Sequence, residues 1–435
     1  MASPGHAARP LKLGVAKVDI TPPYPVRLAG YEKRQGVFDR IADPLFLRVL
    51  LLEQAASGGP PQRVLLVSAD VIWWGPERVA PVLSRLKKQW DLMPEDVILH
   101  ATHTHSAPQT SNAFVSLIGV ADQGYLALLE RKLLEAIQCA AANLETVRAE
   151  RGRGVCRIGV NRRKAVDGVI LPAPDPDGPL DPEVTCIQFR TARDTTKALL
   201  VHYACHPTTT DANQVSAEFP GVAMALLEQH LGGEAIAAYL QGCCGDVRPA
   251  LVRDELFYYG DAEAVMSLGS QLAQAALNVL AGPLEPLGAC MLAGRQATVV
   301  LEVRSRPTLA ELIALQDEPG LAGAWSRLLL DDPSRLSTEV PLRLGLVNLA
   351  AGLSLLVMDA EITAAYGLWI KERFGGAILP LGYSNGMIGY VPTAAQVLEG
   401  GYEARESCPY FGLPGPFAAS LEGRIQAAIQ ELAGY

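Results

Sequence analysis

Residues 64–101 read VLLVSADVIWWGPERVAPVLSRLKKQWDLMPEDVILHA. Val64–Ala69 is an apolar run that stops at Asp70, and Pro76–Trp90 repeats its apolar residues at helical spacing. Val97–Ala101 is a second apolar run, short enough for a buried strand. Strand, helix and strand in this length predict parallel pairing through a right-handed crossover. Upstream, Leu13–Leu52 yields strand-like pieces interrupted by DITPP (19–23), where two prolines halt regular structure. Downstream, a helix is expected over Gly124–Leu144, with strands near Gly154–Val160, Thr185–Arg190 and Ala198–Ala204. A helix from near Pro220 to Gly232-Gly233 then leads to a strand over Ala235–Leu240; proline inside a helix start and glycine beyond its end fit the usual asymmetry. Leu171–Pro182, containing PAPDPDG, reads as a surface loop. Arg306–Leu336 reads as helices, and Val340–Met358 as two adjacent antiparallel strands. A helix after Glu361 to Phe374, a strand over Ala377–Leu381 and a terminal helix over Pro416–Ala433 complete the pattern. The predicted fold class is α/β (α+β), with mixed sheets of parallel and antiparallel strands flanked by helices.

The chain of 435 residues is 49% hydrophobic and 19% charged, a globular composition with room for a large core. A net charge of −9 with no basic run argues against a nucleic-acid partner. The N-terminus, MASPGHAARPLKLG, has no apolar stretch of the secretory type, and no continuous apolar run reaches the length of a membrane span. A cytoplasmic location without membrane insertion is therefore expected. None of the eight cysteines forms a C-x-x-C pair, so they are expected to be mostly buried free thiols.

Five of the seven histidines fall in two short segments, LHATHTHSAP (99–108) and VHYACHPT (201–208). His103 and His105 are two apart and share a face if the segment is extended. They follow a buried strand, where open α/β sheets place their ligand sites, and His206 stands at the same kind of strand end. Zinc takes three or four N, O or S ligands, and a catalytic site keeps one position for water. On pattern alone His103 and His206 stand equally as ligands or as hydrogen-bonded core histidines. His100 and His202 are expected to face elsewhere, while His6 and His230 lie near the N-terminus and late in a helix. A third segment, YLQGCCGDVRP (239–249), follows another apolar strand with a glycine-rich turn carrying Asp246 and Arg248; a plain turn with an exposed Asp–Arg pair is the alternative.

Taken together, DITPP, THTHSAP, NRR (161–163), HPTTT, GDVRP, AEITAAYG (360–367) and the later YVPT and YEARES segments resemble the neutral, non-lysosomal ceramidase family in its N-terminal catalytic domain. The resemblance implies a single catalytic domain over residues 1–435, without the C-terminal β-sandwich domain of that family. It also implies one catalytic Zn2+ per chain, held by His103, His206, Glu361 and Tyr390. By the same resemblance His105 stands beside His103 and supports it or does acid–base work, Arg162 contacts the carbonyl or substrate, Tyr402 steadies the oxyanion, and Asp246 accepts a proton or orients a neighbour. The family's GD turn continues with a serine central to amide cleavage, whereas this chain has Arg248 there. A guanidinium cannot replace that hydroxyl but binds carboxylate or phosphate bidentately, so Arg248 is expected to bind substrate. The expected activity is zinc-dependent hydrolysis of an amide in a small polar molecule and not in ceramide. Ester or lactone hydrolysis, lyase or isomerase chemistry on a polyhydroxylated acid, and a non-catalytic binding protein are the alternatives.

Overall fold

The central βαβ unit is present in the computed structural model, which describes residues 10–56 and 59–434; His6 lies outside them. Gln62–Ala69 and Val97–Ala101 pair in parallel, and the helix Pro76–Trp90 crosses between them. Pro76 begins that helix, Asp91 closes it in a left-handed conformation, and Val79, Val82 and Leu86 form its buried stripe. The unit is one end of a nine-stranded sheet. Its order is Ile236–Gln241, Thr196–Tyr203, Glu183–Thr191, Glu145–Val155, Leu11–Asp19, Phe46–Gln54, Gln62–Ala69, Val97–Ala101, with Glu285–Leu287 added beside Glu145–Val155. The outermost pair at each end is parallel and every inner pair is antiparallel.

The sheet curls until its two edges meet through side chains. Ser68 Oγ donates to the Tyr239 carbonyl at 2.7 Å, and the Gln241 amide donates to His100 Nε2 at 2.8 Å. Both edge strands are buried along their whole length, which explains why they read as unbroken apolar runs without alternation. The curl brings together the chain segments that leave Val97–Ala101 and Thr196–Tyr203, and these carry the two histidine clusters.

A second sheet orders Ala293–Glu302, Glu339–Ala350, Leu353–Met358 and Ile378–Leu381, antiparallel except for the last pair. It stacks on the first. Leu50, Leu52, Val64 and Leu66 of the large sheet share a core with Leu355, Val357, Leu379 and Leu381 of the small one. The intervening residues Val49, Leu51, Leu65 and Val67 point the other way, into a core shared with the helices Pro76–Trp90 and Gln123–Ala142. The period-two alternation of strand side chains thus divides one apolar run between two cores. Each fully buried leucine contributes on the order of 2–3 kcal/mol, so a charge at Leu66 would disrupt the contact between sheets.

Several expectations need correction. Val169–Asp175, which overlaps the start of the stretch read as a loop (Leu171–Pro182), pairs antiparallel with Gly159–Val166 at the edge of a three-stranded sheet. An edge strand has one unpaired side, so Pro172 and Pro174 fit there without losing ladder bonds. The strand expected over Gly154–Val160 is the junction of two, Glu145–Val155 and Gly159–Val166. The terminal helix begins at Leu421, because Phe417 bridges to Val303 and the Ala418 amide donates to Glu302. The GDVRP segment is also more than a turn, since Val247–Pro249 pairs with Gly159–Asn161.

The helix Ala262–Ala281 has the length and mean hydropathy, 1.2, of a membrane span. Here one face of it is buried against the protein and the other is exposed. Val265, Leu268, Leu272 and Ala276 form its buried stripe, and it packs on Glu218–Leu231, where a Cβ at Gly269 would meet Val222 at 2.5 Å. Six of the eight cysteines are buried, Cys139 is exposed, and all eight are free.

Candidate active site

The chain leaves the Val97–Ala101 strand in a sharp turn. His103 has a φ of 67°, a left-handed conformation that a non-glycine residue adopts at a cost and that clusters at functional sites. Its amide donates to the Val71 carbonyl at 3.0 Å, and its Nδ1 lies 2.8 Å from the Ile72 carbonyl. That carbonyl fixes the proton on Nδ1 and leaves the Nε2 lone pair facing inward. Tyr383 stacks on the ring with centroids 4.0 Å apart. His206 is set in the same manner, with its Nδ1 2.6 Å from the Cys244 carbonyl and 3.0 Å from that of Val247. The two inward nitrogens meet one carboxylate oxygen: Glu361 Oε2 is 3.3 Å from His103 Nε2 and 3.1 Å from His206 Nε2. Glu361 is buried in the short strand Glu361–Ile362.

This donor set fits zinc. Two imidazoles protonated at Nδ1 present lone pairs to a carboxylate oxygen, acceptor against acceptor, an arrangement that a cation between them relieves. Zn–N bonds of 2.0–2.1 Å set tetrahedral ligand atoms about 3.3 Å apart, in line with the observed separations. Burial lowers the pKa of His206 to about 4, so the imidazole is neutral and available as a ligand at neutral pH.

His105 joins this cluster and is not held on an extended strand. Its Nε2 is 3.2 Å from His103 Nε2, and ligand nitrogens of His103, His105 and His206 all lie within 4.8 Å of one another. Its Nδ1 is buried without a partner, and its ring lies 5.1 Å from that of Tyr31. Burial, followed by the neighbouring His103 and His206, pushes its pKa well below the usual value.

Tyr390 reaches the site because Tyr390–Val391 pairs in parallel with Glu361–Ile362, setting Tyr390 opposite Glu361. Its hydroxyl accepts from Arg162 Nη2 at 3.1 Å. Arg162 is held in turn by Glu403 Oε1 at 2.8 Å and the Gly245 carbonyl at 2.7 Å. Glu403 also accepts from Arg163 Nη1 at 2.6 Å; burial raises its pKa, but the two guanidinium groups outweigh that and keep it low. Tyr402 opens a π-helical turn, Tyr402–Glu406, with its ring 5.4 Å from that of Tyr390 and under the Arg162 guanidinium at 5.3 Å.

Asp246 is fully buried, and its oxygens are occupied: Oδ1 accepts from the Ala364 amide at 2.7 Å, and Oδ2 from Gln396 at 2.9 Å and Asn161 at 3.2 Å. Arg248 lies with its guanidinium 4.5 Å from the Phe257 ring and 4.9 Å from that of Tyr259, and Tyr259 meets Tyr31 edge-on at 5.6 Å. Since Tyr31 lies against His105, Arg248 stands on the His105 side of the cluster. His100 and His202 are engaged elsewhere, with Ser384 and Gln241 and with the Pro380 carbonyl. His230 is exposed in the last turn of its helix. Sequence reasoning missed Glu403, Tyr383 and Tyr31. Glu403 stood beside Tyr402 in a quoted motif but looks like a solvated helix acid, and nothing in sequence spacing links Tyr31 to His105.

The fold and this cluster define a mixed α/β protein with a buried histidine–carboxylate centre suited to metal-assisted chemistry, assembled from distant segments. Residues 11–255 match the family model described as neutral/alkaline non-lysosomal ceramidase, N-terminal. The chain belongs to that family. Its fold is similar to neutral ceramidase from Pseudomonas aeruginosa, with 21% identity and a TM-score of 0.75 over 98% of this chain and 74% of that one. It is also similar to a ceramidase described as complexed with C2, with 20% identity and a TM-score of 0.76 over 98% of this chain and 75% of the other. No curated protein matches it. The matched stretch contains His103, His105, Arg162, His206, Asp246 and Arg248, whereas Glu361, Tyr390 and Tyr402 follow it and reach the site only through the fold.

Proposed function

We propose that this protein is a zinc-dependent hydrolase that cleaves an amide bond of a small, polar, soluble substrate, and that it acts in the cytoplasm. The observation that carries the reading is Glu361 Oε2 standing 3.3 and 3.1 Å from the inward nitrogens of His103 and His206. His103, His206, Glu361 and Tyr390 would hold the ion. When bound there, zinc would supply a Lewis acid for a carbonyl oxygen and would draw the pKa of a water down to about 7. His105, with its Nε2 3.2 Å from that of His103, is placed to take a proton from the attacking water and return it to the departing amine. Arg162 and Tyr402 supply donors for the charge that develops on the carbonyl oxygen, each worth about 3 kcal/mol in such sites. Asp246 acts by orienting the loop that carries the Cys244 and Val247 carbonyls, and Arg248 contacts substrate.

The test is metal content and turnover of short N-acyl amides for the natural protein and His206→Ala. About one zinc per chain, lost together with turnover in the variant, supports the reading. Turnover that persists in the variant without metal refutes it. Solvent oxygen in the product separates hydrolysis from elimination or isomerisation, and cleavage of esters or lactones alone moves the activity to that neighbouring class.

A further inference from the structure

Arg248 leaves the GDVRP segment with its Nε and Nη2 buried and without hydrogen-bond partners. These two N–H groups project from one edge of the planar guanidinium, at the spacing of the two oxygens of a carboxylate. Elsewhere the protein uses the same edge to grip a carboxylate. Arg63 Nε and Nη2 converge on one carboxylate oxygen, Glu53 Oε2, at 3.0 and 2.8 Å, and Arg151 Nε and Nη2 converge on Glu285 Oε2 at 3.1 and 2.7 Å. Burying charged donors with no acceptor is unfavourable, so the Arg248 edge is a site awaiting an anion.

Its surroundings hold that edge in place. Phe257 and Tyr259, at and just beyond the end of the hairpin formed by Val252–Arg253 and Leu256–Phe257, lie against the guanidinium and restrict its plane. The hairpin is tied down where the Gly260 amide donates to the Thr209 carbonyl at 2.7 Å. The Tyr31 hydroxyl, a second buried donor without a partner, belongs to the ring that bridges Tyr259 and His105. Two residues with orphaned donors, Arg248 and Tyr31, therefore stand in one chain of ring contacts, through Tyr259, that ends at His105.

We propose that the Nε–Nη2 edge of Arg248, with the Tyr31 hydroxyl, forms a carboxylate-binding subsite, and that the substrate is an amide carrying a free carboxylate, of the N-acyl amino acid type. The cleavage of that amide rests on the hydrolase reading above, while the subsite stands on its own geometry. The probes are the N-acetyl derivatives of glycine, phenylalanine and glutamate, each compared with its C-terminal carboxamide by isothermal titration against the zinc-loaded protein. At least one acid should bind about tenfold or more tightly than its carboxamide, the size expected for hydrogen bonds to a charged group. Arg248→Met should reduce that preference to about twofold or less, and Tyr31→Phe should weaken it by a smaller factor. The absence of any acid preference in the natural protein overturns the proposal, and so does a preference that survives in folded Arg248→Met. Hydrolysis of the same panel is read separately. Acid-selective binding without cleavage upholds the subsite and counts against the hydrolase reading, whereas carboxamides cleaved as readily as acids count against the subsite.

Discussion

Replacing Asp246 by Asn changes little in size and much in hydrogen bonding. Its two oxygens receive three donors, from Ala364, Gln396 and Asn161, in a site with no solvent access. Asparagine turns one of those oxygens into an NH2 group, so at least one buried donor faces another donor. The neighbours cannot adjust by turning their amides over. Gln396 Oε1 already accepts from the Thr393 amide at 2.9 Å in a capping box, and Asn161 Oδ1 from the Arg163 amide at 2.9 Å. One orphaned buried donor costs about 1–3 kcal/mol, and loss of the charge-assisted bonds adds to it, so Asp246→Asn should destabilise the fold by about 2–4 kcal/mol. The same loop supplies the Cys244 and Val247 carbonyls to His206 and the Gly245 carbonyl to Arg162, so zinc affinity should fall by about 10- to 100-fold. Urea unfolding measures the first effect and competitive zinc titration the second. A variant within about 0.5 kcal/mol of the natural protein, with unchanged zinc affinity, refutes the clamp. Lost turnover in that same variant would transfer Asp246 to direct proton chemistry.

Arg162→Lys should lower turnover about 100-fold while zinc content is kept, since one ammonium cannot reach Glu403, the Gly245 carbonyl and the Tyr390 hydroxyl together; near-natural kinetics would refute this. Gly30 has a φ of 93°, and a Cβ there would stand 2.3 Å from His105 Nδ1, so Gly30→Ala should cost about 1–3 kcal/mol and reduce turnover; an unchanged thermal midpoint would contradict it. Burial depresses the pKa of His100 to about 3 and of His202 and His206 to about 4. The unfolded chain binds these protons as pH falls through about 6.5 while the folded chain refuses them, so stability should decline between pH 6.5 and about 4. Asp359, raised to about 6 chiefly by burial, acts in the opposite direction together with Asp96, Glu218 and Asp246, while His105 and the lowered carboxyls of Glu183, Glu361 and Glu403 act with the histidines. Urea unfolding of the zinc-free protein that is equal or stronger at pH 5 than at pH 7 would refute this balance.

What the sequence determined by itself is local. The βαβ unit at Val64–Ala101 was legible because apolar periodicity and the proline at the helix start are properties of neighbouring residues. The mixed α/β class was legible for the same reason, and His103 and His206 stood out because so few histidines crowd two strand ends. Hydrogen bonding and burial between distant segments were decided only in three dimensions. The strand Val169–Asp175 was hidden by prolines that an edge position tolerates, and the start of the last helix by a bridge to Val303. His105 lies with His103 because a left-handed residue turns the chain, not because a strand alternates. Glu361, 155 positions from His206, meets it only because the sheet curls its edges together and stacks a second sheet beside them. The free edge of Arg248 is legible in no motif, since an unsatisfied donor is defined by what the rest of the chain fails to bring to it.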